Sequence, residues 1–268
     1  MHRINLSVKN FWRVYLLMKC INFNKFKWEK ENLQRKKYEH DAEKFFSNGY
    51  YSSDSKEKIK FYTMAIKLNP SFVNAYFNRA ELYKELEKYN KAIEDYSKIL
   101  ELNPKDKDCY NNRAIVYYLI KDYDKALQDL DKLVSMDKHY KNIYFNRGMI
   151  FLKIDDYKRA AIEFTKAIHE DSRDSEAYEN RAFAYYNLKR YSPSIKDYTN
   201  ALKLTPENKN IYLNRGTIYY KIKNYENAIS DYMKALNSKE KDPSFYHEVY
   251  TNCSDRLNKK IVPFVNFK

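Results

Sequence analysis

Three glycines and six prolines in 268 residues are too few for a turn-rich β architecture, and no glycine-rich phosphate loop can be built from them. Cysteine is equally sparse. Cys20, Cys109 and Cys253 are odd in number and far apart. That excludes a disulfide framework and any metal-ligand spacing, and it fits a reducing compartment. No run of about 18 apolar residues is present, so no transmembrane helix is expected. The histidines, His2, His40, His139, His169 and His247, are scattered, and no nucleophile–base constellation accompanies them. The expectation is a protein that is not an enzyme, with no cofactor, no metal and no small-molecule substrate.

Charge is the next constraint. The formal net charge is +14. Residues 1–34 carry 7 basic and 2 acidic side chains, residues 35–242 carry 39 and 32, and residues 243–268 carry 4 and 2. No basic stripe recurs at a fixed interval along the middle region, so nucleic acid is not an expected partner.

What the chain does have is a period. The string Tyr-x-Asn-Arg-(Ala/Gly) begins at Tyr76, Tyr110, Tyr144, Tyr178 and Tyr212, each 34 residues after the last. Self-similarity at that interval indicates stacked helix pairs, not one globular core. In the unit 73–106, Tyr76, Ala80 and Tyr83 share one face of a first helix. Tyr89, Ala92, Tyr96 and Ile99 share one face of a second, and Asn103-Pro104 stops it. Position 8 is always small (Ala80, Ala114, Gly148, Ala182, Gly216), and so is position 20 (Ala92, Ala126, Ala160, Ser194, Ala228). Two small faces let the paired helices approach closely. Pro193, following Ser192, reads as a first-turn proline behind an N-cap.

This spacing of large, small and aromatic residues, with its closing Asn-Pro, resembles the tetratricopeptide repeat. Five full units are recognised, at 73–106, 107–140, 141–174, 175–208 and 209–242. A degenerate unit at 35–72, with a longer turn around Ser52–Ser55, precedes them. The resemblance implies an all-α fold, a right-handed superhelical solenoid of antiparallel helix pairs. A basic amphipathic extension (1–34) and a C-terminal capping helix and tail (243–268) flank the six repeats at 35–242.

Two ladders stand out against the family pattern. Position 7, usually leucine, is Arg79, Arg113, Arg147, Arg181 and Arg215. Position 23 is Asp95, Asp129, Glu163, Asp197 and Asp231. These are expected to form structural cross-helix ion pairs, the competing reading being arginines that face the groove and take acidic ligands. Position 6 is Asn78, Asn112, Asn146, Asn180 and Asn214. In the family the first helices line the concave face, and the asparagine ladder resembles that of the O-linked N-acetylglucosamine transferase superhelix. An Asn amide offers donors and an acceptor to a peptide backbone. Phe77 and Phe145 at position 5 and Tyr118, Tyr186 and Tyr220 at position 12 are the expected apolar anchors. The competing reading is that both sets bond and pack within the stack.

The resemblance therefore implies a protein–protein interaction adaptor or scaffold that holds an extended peptide or a partner's helix in its groove. Two further readings stand beside it. One is a co-chaperone binding the acidic C-terminal peptides of large chaperones, although Asn142 and Asn146 occupy positions where such a carboxylate clamp needs Lys and Arg. The other is a structural subunit of a larger assembly. Residues 1–28 have no acid before Glu29 and interleave Phe11, Trp12, Leu16, Leu17, Ile21 and Phe23 with six cations. They suit a cap on the first repeat, an organelle-targeting segment or a membrane-surface helix. The compartment is expected to be cytoplasmic, or an organelle if that segment is read as an address.

Overall fold

A computed structural model describes residues 2–236, with side chains from residue 27 onward. The expected C-terminal cap at 243–268 lies outside the described residues. Every described element is a helix. The chain divides after Pro104 into two compact units.

The first unit holds α1 (His2–Tyr51), α2 (Ser55–Leu68), α3 (Val73–Glu85) and α4 (Tyr89–Leu102). α1 is one helix about 75 Å long, running through residue 34 without a break. Its partner α2 has 14 residues, so most of α1 reaches beyond the pair. The longer turn between them is closed by Asp54, whose Oδ1 accepts the Glu57 N–H at 2.8 Å. Phe46 packs its ring between Tyr62 and Phe72, joining α1 to α2 and to the turn before α3.

The second unit holds α5 (Lys107–Leu119), α6 (Tyr123–Met136), α7 (Ile143–Lys153), α8 (Tyr157–Glu170), α9 (Ser175–Asn187), α10 (Tyr191–Leu204), α11 (Lys209–Lys221) and α12 (Tyr225–Leu236). Each helix packs on the next, and α7 also touches α9. The small residues act where expected. A Cβ on Gly148 would come within 2.8 Å of the Phe164 ring, and one on Gly216 equally close to Tyr232. Ser194, standing where its counterparts are alanine, satisfies its buried hydroxyl by donating to the Ala182 carbonyl at 2.7 Å. The expected Ser192 cap is not used. α10 begins at Tyr191 with Arg190 as N-cap, and Pro193 falls within the first turn, where its missing N–H has no intrahelical partner to lose.

From α3 onward, each intra-pair turn forces one residue into the left-handed region: Glu87, Lys121, Asp155, Lys189 and Lys223, all at repeat position 15. The following N–H bonds back five residues (Arg190 to Tyr185, 2.8 Å; Asn224 to Tyr219, 2.8 Å), which is the Schellman closure of a helix. Glycine is the residue that such a turn favours, and this chain has none there. The five side chains therefore hold a left-handed backbone at a cost of about 1–2 kcal/mol each. Lys121→Gly is expected to raise stability by about 0.5–1 kcal/mol after the entropy cost of glycine, and Asp155→Gly by less, because Asp tolerates this conformation better. Urea denaturation checks both.

Candidate peptide-binding face

At the centre of each repeat lies an arginine. Arg79 reaches Asp95 with Nε at 2.8 Å and Nη2 at 2.6 Å. Arg113 and Asp129 (2.8 and 2.7 Å), Arg181 and Asp197 (2.7 and 2.8 Å) and Arg215 and Asp231 (2.8 and 2.7 Å) repeat the two-pronged geometry. Arg147 makes one such bond to Glu163 at 3.0 Å, and the other glutamate oxygen accepts from Lys166 at 2.8 Å. The carboxylates are 2–5% exposed, so these are buried pairs and not surface ones. Tyrosine rings one turn before and after flank four of the guanidiniums, for example Tyr178 and Tyr185 about Arg181. Arg79, Arg113, Arg181 and Arg215 are held above the usual arginine value. Burial pulls each down, but the carboxylate's hydrogen bonds and charge outweigh it. Burial pushes Asp95 upward against the pull of Arg79. The guanidinium's direction governs the pair, because a fork of two short bonds to one carboxylate requires both groups ionised.

The remaining arginine nitrogen reaches across to the preceding repeat. Nη1 of Arg79, Arg181 and Arg215 donates to Thr63 (2.9 Å), Thr165 (3.1 Å) and Thr199 (2.9 Å), and Nη1 of Arg147 to Asp131. Each threonine hydroxyl donates to its own helix four residues back, leaving its lone pairs to accept. Sequence reading missed this third ladder, although Thr63, Ser97, Asp131, Thr165 and Thr199 recur every 34 residues.

Two of the five ladder asparagines are turned inward. Asn146 is wholly buried and donates to Asn111 at 3.3 Å. Asn180 is buried and donates to the Glu176 carbonyl of its own helix at 2.8 Å. Asn78 and Asn214 are half-buried near the hydroxyls of Tyr62 and Tyr198, each sixteen residues back on the preceding helix. Asn112 is half-buried. Two expected anchors are also enclosed. Phe145 sits in the core with its ring edge-on to Phe164 at 5.6 Å, and Tyr118 packs with Tyr123 against Ala114, Ala126 and Leu130. Covered side chains present no surface to a ligand, so Asn146, Asn180, Phe145 and Tyr118 are corrected to packing positions. Phe77 stays half-buried beside Tyr96. Tyr186 and Tyr220 remain partly exposed, each paired with the tyrosine five residues on, Tyr191 at 6.1 Å and Tyr225 at 5.4 Å.

Sequence reading also passed over Glu179, at position 5 beside this face. It accepts from Asn208 Nδ2 at 3.2 Å. Burial pushes its carboxyl up to about 7, and the Glu176 and Asp174 charges add to the shift. Among the described residues no cluster of His, Cys, Asp and Glu could hold a metal ion, and no helix is long and apolar enough to cross a membrane.

The tetratricopeptide repeat family matches residues 73–106, 96–128, 142–173 and 210–242, and a further TPR repeat matches residues 184–223. The chain is a tetratricopeptide repeat protein. Such proteins generally serve protein–protein interaction and are typically non-catalytic. No curated protein matches the sequence. Among solved structures, YrrB, described as a TPR protein with an unusual peptide-binding site, is 20% identical, with a TM-score of 0.59 over 72% of this chain and 97% of its own. MamA from Desulfovibrio magneticus RS-1 is 18% identical, with a TM-score of 0.59 over 62% and 93%. PilF from Pseudomonas aeruginosa is 18% identical, with a TM-score of 0.59 over 84% and 98%. Identities this low establish the fold alone. With 382 solved chains matching, the fold singles out no partner.

The raised Glu179 carboxyl has a consequence for stability. The folded chain holds a proton there that the unfolded chain releases, so the folded state loses stability as pH rises from the ordinary carboxylate range through about 7. Glu179→Gln is expected to exceed the parent by about 1–2 kcal/mol at about pH 8, after discounting for partial exposure, and to match it near pH 4. Urea denaturation at the two pH values measures the difference.

Proposed function

We propose that the chain is a non-catalytic adaptor whose first-helix face holds an extended peptide or a partner's helix. The observation that carries this reading is the pair of tyrosine couples on that face, Tyr186–Tyr191 and Tyr220–Tyr225, partly exposed and ordered by ring contacts. Rigid aromatic side chains lose little entropy on binding and dominate the energetics of interfaces. Asn112 and Asn214 flank the face half-buried, each with an amide able to meet a peptide backbone. YrrB, a similar fold described as having an unusual peptide-binding site, supports the same use. The scarcity of cysteine and the buried, inert Cys109 thiol, pushed well up by burial, fit action in the cytoplasm.

Selection from a displayed library of random peptides tests this. Peptides enriched on the parent protein are expected to bind Tyr186→Ala/Tyr220→Ala at least about tenfold more weakly. Binding to Ile162→Ser, an exposed change on a second helix, should be unaffected. Equal binding to the tyrosine variant, with its fold intact by circular dichroism, would place the site elsewhere.

A further inference from the structure

α1 is out of proportion to the helix it pairs with. The hollow where Glu31, Gln34 and Arg35 meet Leu68, Pro70 and Ser71 marks the end of α2. Residues 2–30 run on past that level as helix for about 43 Å. Neither glycine nor proline occurs before Gly49, so the sequence holds no breaker that would fold this overhang back onto the repeats. Its composition is not that of a helix surrounded by water. Apart from Arg13, Lys19 and Asn22, every residue from Phe11 to Phe23 is apolar or aromatic. At about 100° per residue those positions go all the way round the axis. A helix that is apolar on every side is a buried one. Where side chains are described, Trp28 and Leu33 are nonetheless exposed.

The charge of the overhang decides what can cover it. Arg3, Lys9, Arg13, Lys19, Lys25 and Lys27 all precede the first acid, Glu29. A second copy of the helix, parallel or antiparallel, would set cation against cation, with no carboxylate in the first 28 residues of either to relieve it. A nucleic acid would take the cations and leave the rings and leucines in water. An anionic bilayer takes both, the cations among its headgroups and the apolar residues at the acyl boundary. We propose that residues 2–30 lie on a bilayer surface rich in anionic phospholipid and carry the repeats to it. Lys9, Arg13 and Lys27 fall within about 40° of one another around the axis and form the headgroup side. Lys19 and Lys25 stand off that line, and a lysine's four-carbon stem lets its ammonium reach back to the headgroups. Trp12 and Trp28 bring indoles, which favour the depth where one end is apolar and the other wet. Only five residues separate Arg13 from Lys19, too few for a span, so the helix lies on the bilayer and does not cross it.

Trp12 and Trp28 are the two tryptophans of the chain, so the intrinsic fluorescence of the whole protein reports on this helix alone. The full chain is titrated at about 0.15 M salt with vesicles of phosphatidylcholine, and with vesicles in which about one third is phosphatidylserine. A blue shift and quenching by bromine-labelled acyl chains are expected on the anionic vesicles, with partitioning at least about tenfold stronger than onto the neutral ones. Arg13→Glu/Lys19→Glu should remove that preference. Phe11→Ser/Leu17→Ser should weaken binding to the anionic vesicles at least about tenfold. Matched thermal melts show that the repeats of both variants are folded. Equal partitioning onto the two kinds of vesicle would overturn the inference, as would unchanged binding by either variant. The absence of any shift with vesicles overturns it too, and two further readings then identify the cover. A mass of two chains by light scattering assigns it to a second copy. A blue shift with calcium-loaded calmodulin, an acidic protein that encloses basic amphipathic helices, assigns it to a protein groove.

Discussion

A buried arginine that bonds three helices at once is the interaction on which the rest depends. In the repeats built on Arg79, Arg147, Arg181 and Arg215, the guanidinium joins its own first helix to the carboxylate of the second, and to a hydroxyl or carboxylate on the preceding repeat's second helix. Aliphatic faces can slip by a turn and still bury the same area. A fork that must meet one carboxylate and one further acceptor cannot. Taking both charges out of water is costly, and only complete hydrogen bonding offsets it. The threonine completes what the carboxylate begins: it accepts the N–H that the carboxylate does not reach.

The same bonds decide what is left for a ligand. Because the arginine occupies the junction between consecutive pairs, the residue before it is drawn toward that junction as well. Asn146 and Asn180 fall inside, and Asn78 and Asn214 are half-buried. What stays partly exposed lies further along the first helix: Tyr186 and Tyr220 at position 12, and the turn cations beyond them.

The fold was legible because it is written repeatedly. One helix pair at 34-residue spacing is ambiguous; five that agree at the small positions and at the closing turn are not. The arginine and its carboxylate were readable for the same reason, each ladder being chemically uniform. The threonine ladder was hidden by its mixture of Thr, Ser and Asp, residues alike only in accepting a hydrogen bond. The left-handed turn residue was hidden by the absence of glycine, its usual sign. The placement of the asparagines was not readable, because one residue is a 100° step around a helix and the covering groups belong to neighbouring repeats. Phe145 illustrates the limit: Phe77 shares its position, yet α7 is apolar nearly all round and encloses its copy.

The most direct measurement is a double-mutant cycle on Arg215, Asp231 and Thr199, read by urea denaturation. If the arginine holds three helices together, Arg215→Ala costs about 3–5 kcal/mol, most of it the penalty of stranding the buried carboxylate. Its coupling to Asp231 then exceeds about 1 kcal/mol, and a smaller coupling to Thr199 is resolved separately. An Arg215→Ala cost below about 1 kcal/mol, with no coupling to either partner, would mean that apolar packing alone sets the stack.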